Sequence, residues 1–217
     1  SGEPRRLEFD PTPKLLDPHT VLLTDFEDPE LFQRINVTPH CEVEQSEQWA
    51  TSGNHSLKVT YQISNGYPAF NISQRLLGDI WPDFDAFEYV EMDIKNVHDH
   101  PAPIPGDRLH GITFFPSQGL RPNHVRTHLQ PNQTRHVKVD IHQQINTDHK
   151  GQPIDVSLLN RMKIFVLRPS IPYTRHYDNI RATRNLGLHF DQLTQTLDQL
   201  ARLGADAKTI SVLKQLV

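Results

Sequence analysis

Val21-Leu22-Leu23-Thr24-Asp25-Phe26-Glu27-Asp28 is the stretch that decides the fold. Val21, Leu23 and Phe26 are apolar residues that favour strands, so the segment reads as a first β-strand. Asp25, Glu27 and Asp28 then place three carboxylates within four residues, and Pro29 ends the strand. Acidic residues are depleted from strands, so this cluster needs a cause. One cause is a solvated turn. The other is a hard-cation site, because Ca²⁺ takes six to eight oxygens in tolerant geometry. Asp25 and Glu27 are two apart and therefore share one side of a strand. His176-Tyr177-Asp178-Asn179-Ile180-Arg181 reads as a second strand near the other end, with an Asp in its middle.

Between them the dominant period is two. Ser56-Leu57-Lys58-Val59-Thr60-Tyr61-Gln62-Ile63 alternates strictly, with Leu57, Val59, Tyr61 and Ile63 on one face. Residues 87–96 and 134–141 alternate in the same way, with Tyr89 or Val90 setting the phase of the former. Further strands are expected at 41–46 (an edge), 69–73, 109–115 and 125–129, and Met162 to Leu167 is the most apolar run, predicted to be central. Residues 29–40 read as a loop, and Ser157 to Arg161 as a short helix. Nine or ten short strands with frequent turn signals indicate an all-β, antiparallel β-sandwich of jelly-roll type.

Three regions follow. Residues 1–20, with four prolines among charges, form an extended lead-in; residues 21–184 form the sandwich; residues 185–217 form a short C-terminal helical appendage. In the appendage Leu193, Leu197, Leu200 and Leu203 recur at helical spacing, and a second helix is expected after Gly204. The tail is either a linker or the start of a following domain, or a helix pair packed back on the sandwich. Seventeen Pro against ten Gly suit a loop-rich β protein. A net charge of -4 with 13 His carries no basic footprint, which argues against nucleic acid as a partner. Cys41 is the sole cysteine, so there is neither an internal disulfide nor a cysteine zinc cluster, and it reads as a small buried side chain. No apolar run approaches the roughly 20 residues that span a bilayer. Ser1-Gly2 reads as a cloning remnant, so the lack of a signal peptide argues nothing.

The order of several pieces resembles galactose-binding-like (jelly-roll) carbohydrate-binding modules, of the kind attached to glycoside hydrolases such as agarases. The pieces are Thr24-Asp25-Phe26-Glu27, Ser52-Gly53-Asn54-His55-Ser56-Leu57-Lys58-Val59, Trp81 to Tyr89, Pro131 to Asp140, and Tyr177 to Arg181. The resemblance covers residues 21–184. It implies a structural calcium between the first strand, the last strand and a loop, with Asp25, Glu27, Gly53, His55 and Asp178 as its residues. It also implies a polysaccharide or oligosaccharide partner, an attached catalytic domain in the same parent chain, and an extracellular or periplasmic location.

Sugar recognition needs flat apolar rings beside planar hydrogen-bonding groups. Tyr67, Trp81, His110, Phe114, Arg126, His128 and Arg168 are the candidates for ligand binding, although Trp81 also suits a structural plug. Phe114 and Phe115 are adjacent and must point to opposite faces, one into the core and one outward. No catalytic residues are nominated. The expected role is a non-catalytic carbohydrate-binding module that targets or supports an attached hydrolase. The alternatives are a structural or interaction domain of a larger carbohydrate-active enzyme, or a jelly-roll lyase or hydrolase. Hydrolysis would require two carboxyls across a cleft, and the spacing of Glu88, Glu91 and Asp93 singles out no pair.

Overall fold

Strands with an apolar face can hide it only against another such face, and here two sheets do so. The structure, a computed structural model, describes residues 19–97, 109–117, 124–184 and 186–202. In chain order these form β1 (Thr20–Thr24), α1 (Pro29–Arg34), β2 (Asn36–Val37), β3 (Cys41–Ser46), β4 (Ser56–Tyr61), β5 (Ala69–Ser73), α2 (Gln74–Leu77), β6 (Tyr89–Val97), β7 (Leu109–Pro116), β8 (His124–His128), β9 (Thr134–Asp140), α3 (Ile141–Gln144), β10 (Leu159–Val166), β11 (Tyr173–Thr183) and α4 (Leu186–Arg202). Eleven strands make a six-stranded sheet in the order β3-β4-β11-β6-β9, with β1 also on β11, and a five-stranded sheet β2-β5-β10-β7-β8. The strand pairs are antiparallel. The first and last strands are therefore neighbours, and β10 is the middle strand of its sheet, as its apolar run predicts.

The period of two sets the core. Leu57, Val59 and Tyr61 of β4 and Val90, Met92 and Ile94 of β6 meet Phe70, Ile72, Ile112, Phe114, Met162, Ile164 and Val166 of the other sheet. Each fully buried side chain of this size contributes about 1.5–3 kcal/mol of transfer free energy. Val90, not Tyr89, takes the inward phase. Ile63 falls beyond the end of β4 and is exposed. Cys41 is buried, and burial together with Glu42 pushes its thiol up to about 12, as suits an inert small side chain.

Two segments differ from expectation. Residues 29–34 are a helix, because Asp28 accepts from the Glu30 N–H at its N-cap and Pro29 occupies the first turn. The helix expected at Ser157 to Arg161 is a single 3₁₀ turn over Val156–Leu158, after which Leu159 already begins β10. Trp81 is a plug: its indole N–H donates to the Leu159 carbonyl at 2.8 Å, and its ring packs edge-on against Phe84. The expected second tail helix and the proline-rich insert at residues 98–108 lie outside the described residues. Among the described residues no helix is long and apolar enough to cross a membrane.

Candidate functional site

Two places collect the residues singled out in the sequence. At the first, β1 and β11 each bulge, with Phe26 at φ 59° and Asn179 at φ 52°, and each turns a carboxylate toward the loop of residues 51–55. Glu27 Oε1 accepts from the backbone N–H of Asn54 (2.7 Å) and of His55 (2.6 Å), and Oε2 faces His55 Nδ1 at 2.8 Å. Asp178 Oδ2 accepts from the N–H of Thr51 (2.5 Å) and Ser52 (2.8 Å), and Oδ1 from Asn179 N–H. Gly53 must be glycine here, since it sits at φ +66° and an added Cβ would lie 2.3 Å from Glu27 Oε1.

Four of the five nominated metal residues, Glu27, Gly53, His55 and Asp178, thus do converge on one loop, yet the donor set does not fit calcium. A hard cation needs oxygens aimed inward. Here N–H groups aim at the carboxylates, and the Gln45 side-chain amide caps the carbonyls of Phe26 and Glu27. Asp25 instead accepts from the Glu27 N–H in a local turn. Among the described residues no group of three or more His, Cys, Asp or Glu is arranged to hold a metal. Hydrogen bonds, charge-assisted and partly buried, tie the loop to both ends of the sandwich.

The second place is the outer face of the five-stranded sheet. Register places Arg161, Lys163 and Phe165 of β10 across from Phe115, Thr113 and Gly111 of β7 on one side, and from Ser73, Asn71 and Ala69 of β5 on the other. Gly111 and Thr113 in turn oppose Arg126 and His124 of β8. Phe165 lies over Gly111, where any Cβ would meet its ring within 2.6 Å. Tyr67 and His124 stand edge-on to Phe165, at 5.7 and 6.0 Å between centroids. With Thr113, Phe115, His149 and Lys163 they line a groove of about 280 Å³. Arg161 stacks over Phe115 at 4.2 Å and leads into a second groove, of about 610 Å³, with Arg34, Asn36, Asn71, Ser73 and Arg75.

The face is electrostatically strained by its own cations. Burial and the neighbouring Arg161 lower the Lys163 ammonium, and burial with Arg126 lowers His124. Arg126 donates to His124 Nε2, which suits a neutral ring.

Of the seven residues nominated for a ligand, Tyr67, Arg126, His128 and Arg168 are exposed. Tyr67 lines the first groove, and Arg126 and His128 lie on outward positions of β8. Arg168 is on the connection after β10, where its N–H donates to Gly66 O. Trp81, His110 and Phe114 are corrections: all three are buried, so their rings are closed to a ligand. Parity is the cause, because His110 and Phe114 sit on the inward positions of β7, while Phe115 points outward. Phe115, Arg161, Lys163 and Phe165 were missed, although once β10 was recognised as a strand, Arg161, Lys163 and Phe165 shared one face by alternation alone.

No protein-family model and no curated protein matches the sequence. Solved structures do match in shape. A family 11 carbohydrate-binding module from Clostridium thermocellum, in complex with a β-1,3-1,4-mixed-linked tetrasaccharide, superposes with TM-score 0.53 at 15% identity, covering 77% of this chain and 96% of that one. An agarase gives TM-score 0.55 at 12% identity over 77% of this chain, and an exo-β-agarase gives 0.53 at 16% over 76%. In both agarases the matched part is 25% of the longer chain. The chain therefore has the jelly-roll β-sandwich fold seen in carbohydrate-binding modules and in part of agarases.

Proposed function

We propose that this sandwich is a non-catalytic carbohydrate-binding module whose site is the outer face of the five-stranded sheet. The observation that carries the proposal is the platform itself. Tyr67 and Phe115 offer aromatic surface, with Phe165 packed beneath, and Lys163, Arg161, Asn36 and Ser73 offer hydrogen-bonding groups beside it. Rings cover the C–H face of a pyranose while polar side chains take its hydroxyls. Along β10, Arg161 to Phe165 extend over about 13 Å at the usual strand rise, enough for a chain of sugars and not one alone. The mixed-linked glucan carried by the clostridial module of the same fold supports a polysaccharide ligand. The agarases, in which this fold is a quarter of the chain, support attachment to a carbohydrate-active catalytic domain, acting outside the cell where such polymers lie.

Affinity gel electrophoresis over agarose, mixed-linkage β-glucan, xylan, alginate and pectin tests the proposal. Retardation by at least one polymer is expected, and Tyr67→Ala, at a 48% exposed position, should weaken it several-fold without changing the melting temperature. Migration unaffected by every polymer, with an intact cooperative melt, overturns it.

A further inference from the structure

The two sheets differ in charge in a way that bears on which glycan binds. The five strands β2, β5, β7, β8 and β10 contain no Asp and no Glu. The acidic strand residues all lie in the other sheet, at Glu42, Glu44, Glu91, Asp93, Asp140 and Asp178. There four cationic side chains are neutralised, while Lys95 and Arg135 have no carboxylate partner among the described residues. Arg181 and Lys138 pair with Glu91 at 3.1 and 3.4 Å, His136 with Asp93 at 2.8 Å, and Lys58 with Glu44 at 2.6 Å.

On the five-stranded face the cations are not neutralised. Among the described residues no carboxylate pairs with Arg34, Arg75, Arg126, Arg161 or Lys163. Arg34, Arg75 and Arg161 border one groove together with Asn36, Asn71 and Ser73, and its lining holds no acidic residue. Asp25 and Asp28 line an adjoining groove that shares Arg34 and Arg75, without forming an ion pair with either. Asp148, near the aromatic end, turns its carboxylate onto the N–H groups of Lys150 and Gln152. In a chain of net charge -4, a groove lined by three arginines and by no carboxylate suits an anion supplied by the ligand.

We infer that the polymer bound on this face is a polyuronate, its carboxylates held by Arg34, Arg75 and Arg161 and its rings stacked toward Phe115 and Tyr67. The inference rests on the binding role proposed above. A planar guanidinium fork meets the two coplanar oxygens of a carboxylate bidentately, and all three cations of the groove are arginines; sulfate, which the same fork also accepts, is distinguished in the test by ι-carrageenan. Asn36 and Ser73, in the same groove, suit the ring hydroxyls that a uronate leaves free.

The test is affinity electrophoresis and calorimetry of the whole chain with polygalacturonate, its fully methyl-esterified form, ι-carrageenan, agarose and mixed-linkage β-glucan. Expected results are retention by polygalacturonate, loss of retention on esterification, and affinity that falls steeply with added salt. Arg161→Gln and Arg75→Gln should each weaken binding about tenfold, since each removes a charge-assisted contact. Both positions are exposed, so folding is preserved and a thermal melt verifies it. Lys95→Gln, on the opposite sheet, controls for unspecific cation binding and should change nothing. Equal binding of the esterified polymer, or indifference to both arginine substitutions, overturns the inference. Retention by carrageenan alone overturns the carboxylate assignment. Retention by agarose or β-glucan alone overturns the acidic ligand and leaves the binding role standing, whereas no retention by any polymer removes both.

Discussion

Placing a methyl group on Gly53 should unfasten the loop that joins the two ends of the sandwich. The residue lies at φ +66°, and its Cβ would fall 2.3 Å from Glu27 Oε1 and 2.6 Å from Glu27 Cδ. An alanine in the left-handed region costs about 1–2 kcal/mol. The overlap is relieved only by swinging the carboxylate away from the N–H groups of Asn54 and His55, bonds of 2.7 and 2.6 Å. Glu27 is 32% exposed, so water replaces part of what is lost, and about 1 kcal/mol per bond is a suitable figure. The sum is about 3–4 kcal/mol. For a chain of this size, each kcal/mol moves the melting temperature by roughly 2–4 °C, so Gly53→Ala should lower it by roughly 6–16 °C. In a Glu27→Ala background only the backbone part remains, about 1–2 kcal/mol. Thermal unfolding followed by circular dichroism on the four proteins of this double-mutant cycle measures the difference. If Gly53→Ala costs the same with and without the Glu27 carboxylate, the hydrogen-bonded lock is not what fixes the loop.

Three further outcomes are expected. Burial raises the Glu27 carboxyl, but His55 and the loop N–H groups leave it below its ordinary 4.5, while the hydrogen bond to Glu27 lifts His55 above 6.5. The Glu27 contribution is therefore lost as pH falls through its lowered folded value, and that of His55 as pH rises through its raised one. The melting-temperature gap between wild type and His55→Asn should then be widest between about pH 5 and 6 and shrink in alkali, and a gap that grows toward alkaline pH would contradict the pairing. Because the donors around Glu27 and Asp178 are N–H groups, chelator or added calcium should leave the melt unchanged, and a chelator-induced fall of several degrees would restore calcium to this loop. His110 is fully buried against Tyr177, with neither ring nitrogen hydrogen-bonded among the described residues and its ring driven well below 6.5 by burial. Replacing an unsatisfied buried polar group by an apolar one is neutral to stabilising, so His110→Leu should hold or raise the melting temperature, and a fall of more than about 5 °C would refute this.

What the sequence determined by itself was everything that depends on a local period. Leu57, Val59 and Tyr61 had to share a face, and Met162 to Leu167 had to be an inner strand. Asp28-Pro29 even carried the signal for α1, an N-cap followed by proline, although it read as a loop. Alternation gives the two faces of a strand but not which one is inward. Tertiary packing decided that His110 and Phe114 go into the core and Phe115 to the surface, because only the opposing sheet supplies an apolar layer. Tertiary structure alone also decided the hydrogen-bond roles at the loop of residues 51–55. A carboxylate near a turn suits a cation or an N–H equally well in sequence, and the backbone direction of that turn selected N–H. The cationic groove was likewise invisible in a chain of net negative charge. Arg34, Arg75 and Arg161 are scattered along the chain, and only the tertiary fold sets Arg34 of α1 and Arg75 of α2 beside Arg161 of β10.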